Sequence, residues 1–305
     1  MNDPAPVLSV LVCTHNPRAD HLGRALAALR AQTLPPDRWE LVVVDNASAP
    51  PVDAALVAWH PAGRVVREEE LGLTAARRRA VAVAAGSLFV FVDDDNVLAP
   101  DYLEQAVRIG ENAELGAWGC GEFTPEWETP PPPEFAPYLA YLAVGRRERD
   151  VWSHRPFDYA AMPAGAGLCV RAPVARRYGE HVAADPRRLQ LGRKGGGLGA
   201  CEDFDLGLTA IEMGLGTGVF TALRLTHLMP AGRVREDYLL RLIQGHARST
   251  VLLHHLHGRP VARRTGLLAR LRHWRYRRHL NAVERRLDDA LRRGEAEAFA
   301  ELAHP

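Results

Sequence analysis

A chain of 305 residues with 47% hydrophobic content can bury a large core, which excludes disorder over most of its length. Thirty-eight basic residues against thirty-seven acids leave a net charge of +1. That balance gives no ground for nucleic acid as a partner, and any polyanion-binding surface has to be local.

The chain opens "MNDPAPVLSV", without the basic and apolar regions of a secretory leader. No uninterrupted apolar run reaches the roughly 18 residues of a spanning helix. A cytoplasmic location is expected, with contact at the inner membrane face left open. Short β-branched-rich strands are predicted over Val7–Thr14, Glu40–Asn46, Arg64–Glu69 and Leu88–Asp94. Helices are predicted over Leu22–Ala31, with Leu22, Leu26 and Leu29 on one face, and over Ala75–Ala85 with Thr74 as N-cap. Near-continuous apolar strands alternating with helices imply an α/β fold whose mainly parallel sheet is covered on both sides. Ligands of such sheets gather beyond the carboxyl ends of the strands. Thr14, Asp45 and the run Asp93, Asp94, Asp95 all fall at those ends. Three adjacent aspartates raise the cost of ionising one another, so a positive charge is missing from the sequence at that point.

Beyond the fourth strand a helix begins near Pro100. The proline-rich "FTPEWETPPPPEFAPYL" (Phe123–Leu139) reads as an extended surface segment. "LGRKGGGLGA" (Leu191–Ala200) is too glycine-rich for regular structure and lacks the phosphate-loop order, leaving a closing lid or a plain surface loop. In "CEDFDLG" (Cys201–Gly207) three acids crowd a helix start, where the helix dipole favours them whatever else they do. His227 follows the last strand of this region. The histidines of "HARSTVLLHHLHG" (His246–Gly258) match no ligand spacing. Cys13, Cys120, Cys169 and Cys201 form no C-x-x-C pair and read as buried thiols. From Arg259 to Arg286 ten arginines stand against one acid, Glu284, with Leu267, Leu271 and Trp274 along one helical face. Such a segment either meets anionic lipid or a phosphorylated lipid-linked acceptor, or packs its stripe on the rest of the chain or a second subunit; packing is the favoured expectation.

The pieces "LSVLVCTHN", "ELVVVDNAS", "ELGLTAARRRAVAVAAG", "FVFVDDDNVLAPDYLEQA", "GAGLCVR" and "CEDFDLGLTAIEMGLG", in this order, resemble the family 2 glycosyltransferases of the GT-A fold over about Val7–His227. The resemblance implies a Rossmann-like GT-A domain over 1–230, with a nucleotide-binding half to about 115 and an acceptor-binding half over 116–230. A C-terminal helical extension, 231–305, follows. It implies a UDP-sugar or related donor and inverting transfer to a hydroxyl of a glycan, lipid-linked or small-molecule acceptor. It also implies Mn2+ or Mg2+ as the missing positive charge, bridging the diphosphate. By position Asp95 would meet the metal, with His227 as a further ligand. Asp93 would lie at the ribose or the metal's water shell, and Thr14, Asn16, Asp45, Arg77 and Asp94 would hold the nucleotide. Asp203 would be the base, supported by Glu202 and Asp205. Asn46 and Ala47 depart from the family's usual second acid and glycine, and Arg78 from its usual asparagine. At least one of Arg77, Arg78 and Arg79 has to face solvent.

Two other classes share these residues. "DDDNV" also satisfies the nucleophile pattern of haloacid-dehalogenase-type phosphatases, with Asp93 as nucleophile, Lys194 as charge partner and Asp203 as metal ligand, but that reading leaves Asp45 and Arg77 without a task. A non-catalytic sugar-nucleotide-binding protein is the third class. A homodimer is compatible with all three.

Overall fold

The computed structural model describes residues 6–259, 261–263 and 266–303. Its strands are β1 (Leu8–Thr14), β2 (Trp39–Asn46), β3 (Gly63–Glu68), β4 (Leu88–Asp93), β5 (Asn96–Leu98), β6 (Leu115–Trp127), β7 (Gly145–Arg146), β8 (Val151–Ser153), β9 (Cys169–Arg171) and β10 (Gly216–Met229). The helices are α1 (Ala19–Arg30), α2 (Leu73–Val83), α3 (Tyr102–Gly110), α4 (Ala172–Ala184), α5 (Glu202–Glu212), α6 (Glu236–Leu256), α7 (Leu267–Arg277) and α8 (Ala282–Ala303).

The first four strands match their predicted bounds within one residue. They pair in parallel, with Thr14 opposite Asp45 and Cys13 opposite Asp93, so their carboxyl ends share one edge. Every residue of β1 and β2 is buried because both faces are covered. Val10 and Val12 pack with Leu22, Leu26 and Leu29 of α1, and Leu11 and Cys13 pack with Ala76 and Ala80 of α2. The sheet order is β3-β2-β1-β4-β9-β6-β10-β5, with β7 beside β6 and β8 beside β10. The short β9 lies antiparallel between β4 and β6, and β10 runs parallel to β6. The aspartate run does not cap α3: the chain turns through it into β5, which pairs antiparallel with β10 and brings His227 opposite Asn96.

The start of α2 differs from expectation. Gly72, at φ 140°, holds the N-cap position, a backbone conformation that glycine adopts most readily, and its N–H donates to Asn46 Oδ1 at 2.8 Å. Thr74 is one residue inside the helix, where its buried hydroxyl finds no partner among the described residues. The proline-rich segment also differs. After β6 ends at Trp127, residues Pro133–Leu142 coil into a 3-10 helix, the tight turn that a proline φ near −65° suits. Phe135 and Leu142 are buried there against Leu239, Leu242 and Ile243 of α6, so this stretch is not an extended surface strand.

The C-terminal region divides in two. α8 packs along α6 through Leu287, Ala290, Gly294 and Ala298, and the α-carbon of Gly294 lies so close to the Gln244 carbonyl that an added Cβ would stand 2.0 Å from it. α7 buries no residue, contrary to the expectation of a packed stripe. Among the described residues no helix is long and apolar enough to cross a membrane. All four cysteines are free and buried. Burial pushes the Cys13 thiol up to about 12, which leaves it unreactive at neutral pH.

Candidate active site

The carboxyl ends of β1 and β4 open into a cavity of about 900 Å3, bounded on the far side by the start of α5 and by α6. Of the predicted residues, Thr14, Arg77, Asp93, Asp94, Asp95, Glu202, Asp203 and His227 line it.

The acidic turn forms one wall. Asp93 is half-buried and Asp95 buried. Asp94 accepts a hydrogen bond from the Thr14 hydroxyl, yet burial pushes its carboxyl up to about 6, with the charges of Asp95 and Asp93 adding to the rise. Burial works in the same direction at Asp95. There His227 and the Arg233 guanidinium outweigh it and hold the carboxyl well below the usual carboxylate range. Arg233 Nη2 donates to Asp95 Oδ2 at 2.7 Å, and His227 Nε2 lies 3.5 Å from Asp95 Oδ1. The other ring nitrogen of His227 is taken up by the Ala143 carbonyl at 3.3 Å, so Nε2 is the atom turned toward the acidic turn, where it also meets Arg233 Nη1 at 3.2 Å.

This wall can be tested as a cation site by its donor chemistry. No group of three or more His, Cys, Asp or Glu side chains forms a cage among the described residues. One carboxylate and one imidazole facing the same space suit a Mn2+ or Mg2+ that takes its remaining ligands from phosphate and water. Asp95 and His227 therefore fit the group, with Arg233 as a resident counter-charge on the second carboxylate oxygen.

The opposite wall is the first turn of α5. Glu202 is buried, and burial together with the charge of Asp203 pushes its carboxyl up to about 7. Asp203 is raised by burial as well, against the pull of Arg77. Its two oxygens are oriented by the chain: Gly165 N donates to Oδ2 at 2.7 Å and Phe204 N to Oδ1 at 2.8 Å.

Arg77 joins the walls. It is 4% exposed, donates to Glu202 Oε1 at 3.2 Å and to the Gly165 carbonyl at 3.3 Å, and lies 3.8 Å from Asp93. Arg79 faces solvent, as the spacing required.

Three predicted residues are engaged elsewhere. Asp45 accepts from Ser48 N, Val52 N and Arg67 Nη1 at 3.0, 3.1 and 2.7 Å; burial opposes this, but these donors keep its carboxyl below the usual range. Asn16 braces the same loop, its N–H donating to Ser48 Oγ and its Oδ1 accepting from Ala49 N, both at 2.8 Å. Neither lines the cavity. Asp205 points the other way altogether. It is fully buried, paired with Arg188, and 2.7 Å from His257 Nε2 near the end of α6, so it ties α5 to α6 rather than supporting chemistry.

The cavity also takes in residues that were not predicted for the site: His15, Asn46, Tyr141, Tyr159, Arg193, Phe204, Arg233, His246, Thr250 and His254. Arg193 comes from the glycine-rich loop, whose carbonyl at Arg193 accepts from Leu73 N at 2.9 Å and so docks the loop on α2. Arg233, His246, Thr250 and His254 lie past residue 230, so the cavity crosses the predicted boundary between catalytic domain and extension. Lys194, the charge partner required by a phosphatase, is not among the lining residues.

Residues 9–127 match the family described as glycosyl transferase family 2. The chain is 31% identical over 114 residues to the Bacillus subtilis protein EpsH, named as a glycosyltransferase, covering 36% of this chain and 32% of that one. It is 27% identical over 111 residues to the glycosyltransferase AglE of Haloferax volcanii, covering 35% and 36% respectively. The chain thus matches about a third of the length of these curated relatives. Among solved structures it is similar to the mannosyltransferase PcManGT from Pyrobaculum calidifontis in complex with GDP-Man and Mn2+, with a TM-score of 0.56 at 19% identity over 98% of this chain and 76% of that one. It is also similar to TarS of S. aureus in complex with UDP-GlcNAc, with a TM-score of 0.51 at 16% identity over 82% and 72%. Residues 9–127 are thus similar to glycosyl transferase family 2, and the architecture is the GT-A fold seen in the solved glycosyltransferases.

Proposed function

We propose that the protein transfers a sugar from a nucleoside diphosphate, UDP in the first instance, to an acceptor hydroxyl with inversion and with help from a divalent cation. The observation that carries this reading is the cavity with an acidic, cation-compatible wall at Asp95 and His227 facing an oriented, proton-accepting wall at Asp203. The nucleotide-sugar complexes of PcManGT and TarS support a donor of this class, and the Mn2+ of PcManGT supports the metal.

A bound Mn2+ or Mg2+ would supply charge neutralisation of the departing diphosphate. Asp95 and His227 would hold it, and Arg233 and Arg193 would stand ready to pair with phosphate oxygens. Thr14 and His15 would flank the nucleoside at the end of β1. Asp203 would take the proton of the acceptor hydroxyl, its oxygens fixed by two backbone donors so that no rotamer search is needed at the moment of attack. Arg77 would keep Glu202 and Asp93 from repelling one another and the incoming diphosphate.

Calorimetric titration with UDP, GDP and dTDP, each with Mn2+, tests the reading: saturable binding of one diphosphate is expected, strongest for UDP and lost with EDTA. Absence of binding by all three would overturn it. The pH dependence follows from the second wall. Burial raises the Asp203 carboxyl against the pull of Arg77, and a protonated base cannot accept another proton. Turnover should therefore climb with pH along a limb that lies above the usual carboxylate range, as the raised Asp203 carboxyl gives up its proton. An acidic limb lying in the ordinary carboxylate range would detach the pH profile from Asp203.

A further inference from the structure

Five of the nine large hydrophobic side chains exposed among the described residues sit on α7: Leu267, Leu268, Leu271, Trp274 and Tyr276. The first two are 81% and 73% exposed. At 100° per residue Leu267, Leu271 and Trp274 fall within an arc of about 60°, a continuous stripe along the short helix. The orientation of that stripe is fixed by an adjoining flank of α7. His273 Nε2 lies 3.2 Å from Asp288 Oδ2, Arg277 Nη1 lies 3.2 Å from the same oxygen, and Arg277 pairs with Asp289 as well, all on α8. The helix is pinned along a polar flank and leaves its apolar stripe exposed.

The charges around the stripe are of one sign. Arg270, Arg272, Arg275 and Arg278 are exposed, and none is within ion-pair distance of a carboxylate among the described residues. Arg278 lies over the Trp274 ring at 4.8 Å. A protein partner would have to present a groove lined with acids to this convex ridge. A bilayer surface needs only phosphate headgroups for the arginines, an interface for Trp274 and acyl chain for the leucines.

We propose that α7 is a docking helix for an anionic lipid surface, lying in the plane of the interface while α8 holds it to the rest of the chain. The inference is independent of the transfer reaction. The experiment is vesicle flotation of the full chain with phosphatidylcholine alone and with added phosphatidylglycerol. Two variants accompany the wild type: Leu267→Ser with Leu271→Ser, and Arg270→Glu with Arg272→Glu and Arg275→Glu. These positions are exposed, so an unchanged thermal midpoint is expected and serves as the folding control. The wild type should float with anionic vesicles and be released by salt, and both variants should lose partitioning by about tenfold or more. Equal flotation of wild type and variants would overturn the proposal. So would a concentration-dependent dimer in light scattering that the leucine variant abolishes, which would assign the face to a second copy.

Discussion

Asp203→Asn should abolish sugar transfer while leaving nucleotide binding intact. The substitution keeps the shape of the side chain and removes its capacity to take a proton. A positioned general base contributes roughly 10^2 to 10^4 in rate, and a loss of that order in kcat is expected. Its carboxylate accepts from Gly165 N and Phe204 N, and an asparagine retains one acceptor for the two donors, so the cost in stability should be small beside the loss in rate. Single-turnover assays with the donor, alongside calorimetry of the nucleotide with Mn2+, separate the two effects. Wild-type turnover in the variant would refute the base assignment.

Two residues further on, Asp205→Ala should give the opposite result, a protein that unfolds early. Asp205 is fully buried between Arg188 and His257. Removing it strands a guanidinium that is itself almost wholly enclosed, and breaking a buried ion pair from one side costs about 3–5 kcal/mol. Urea denaturation should show the midpoint falling by a corresponding amount with little change in slope. An unshifted midpoint would mean that the Arg188 and His257 contacts carry no stability. The pair of experiments thus separates a chemical acid from a structural acid in one turn of helix.

Much of this architecture was legible in the chain. β-branched runs set β1 to β4, and parallel pairing carried Thr14 and Asp93 to a common edge, because strand ends are defined by local pattern and the covered sheet by its continuous apolarity. The inward turn of Asp205 was also within reach, since residues two apart on a helix stand about 200° from one another and cannot both face one cavity. What could not be read was set by pairing at long range. Asp45 meets Arg67 because the β2–β3 register places them side by side, and no local pattern states a register. Arg233 reaches Asp95 across 138 positions, through the path of β10 and the turn after it. Thr74 gave way to Gly72 as the cap because Asn46, on another element, supplied the acceptor that the helix entry needed.

The way α8 clamps α6 has a consequence for anyone who would re-engineer this scaffold. Leu242, His246, Thr250 and His254 form a wall of the cavity from a helix whose outer side is fitted to Gly294 at near-contact distance. The tail is thus a cassette: grafting a different one after residue 230 would re-plaster the chamber itself, and a chimera that kept α6 but exchanged α8 would warp the wall from behind.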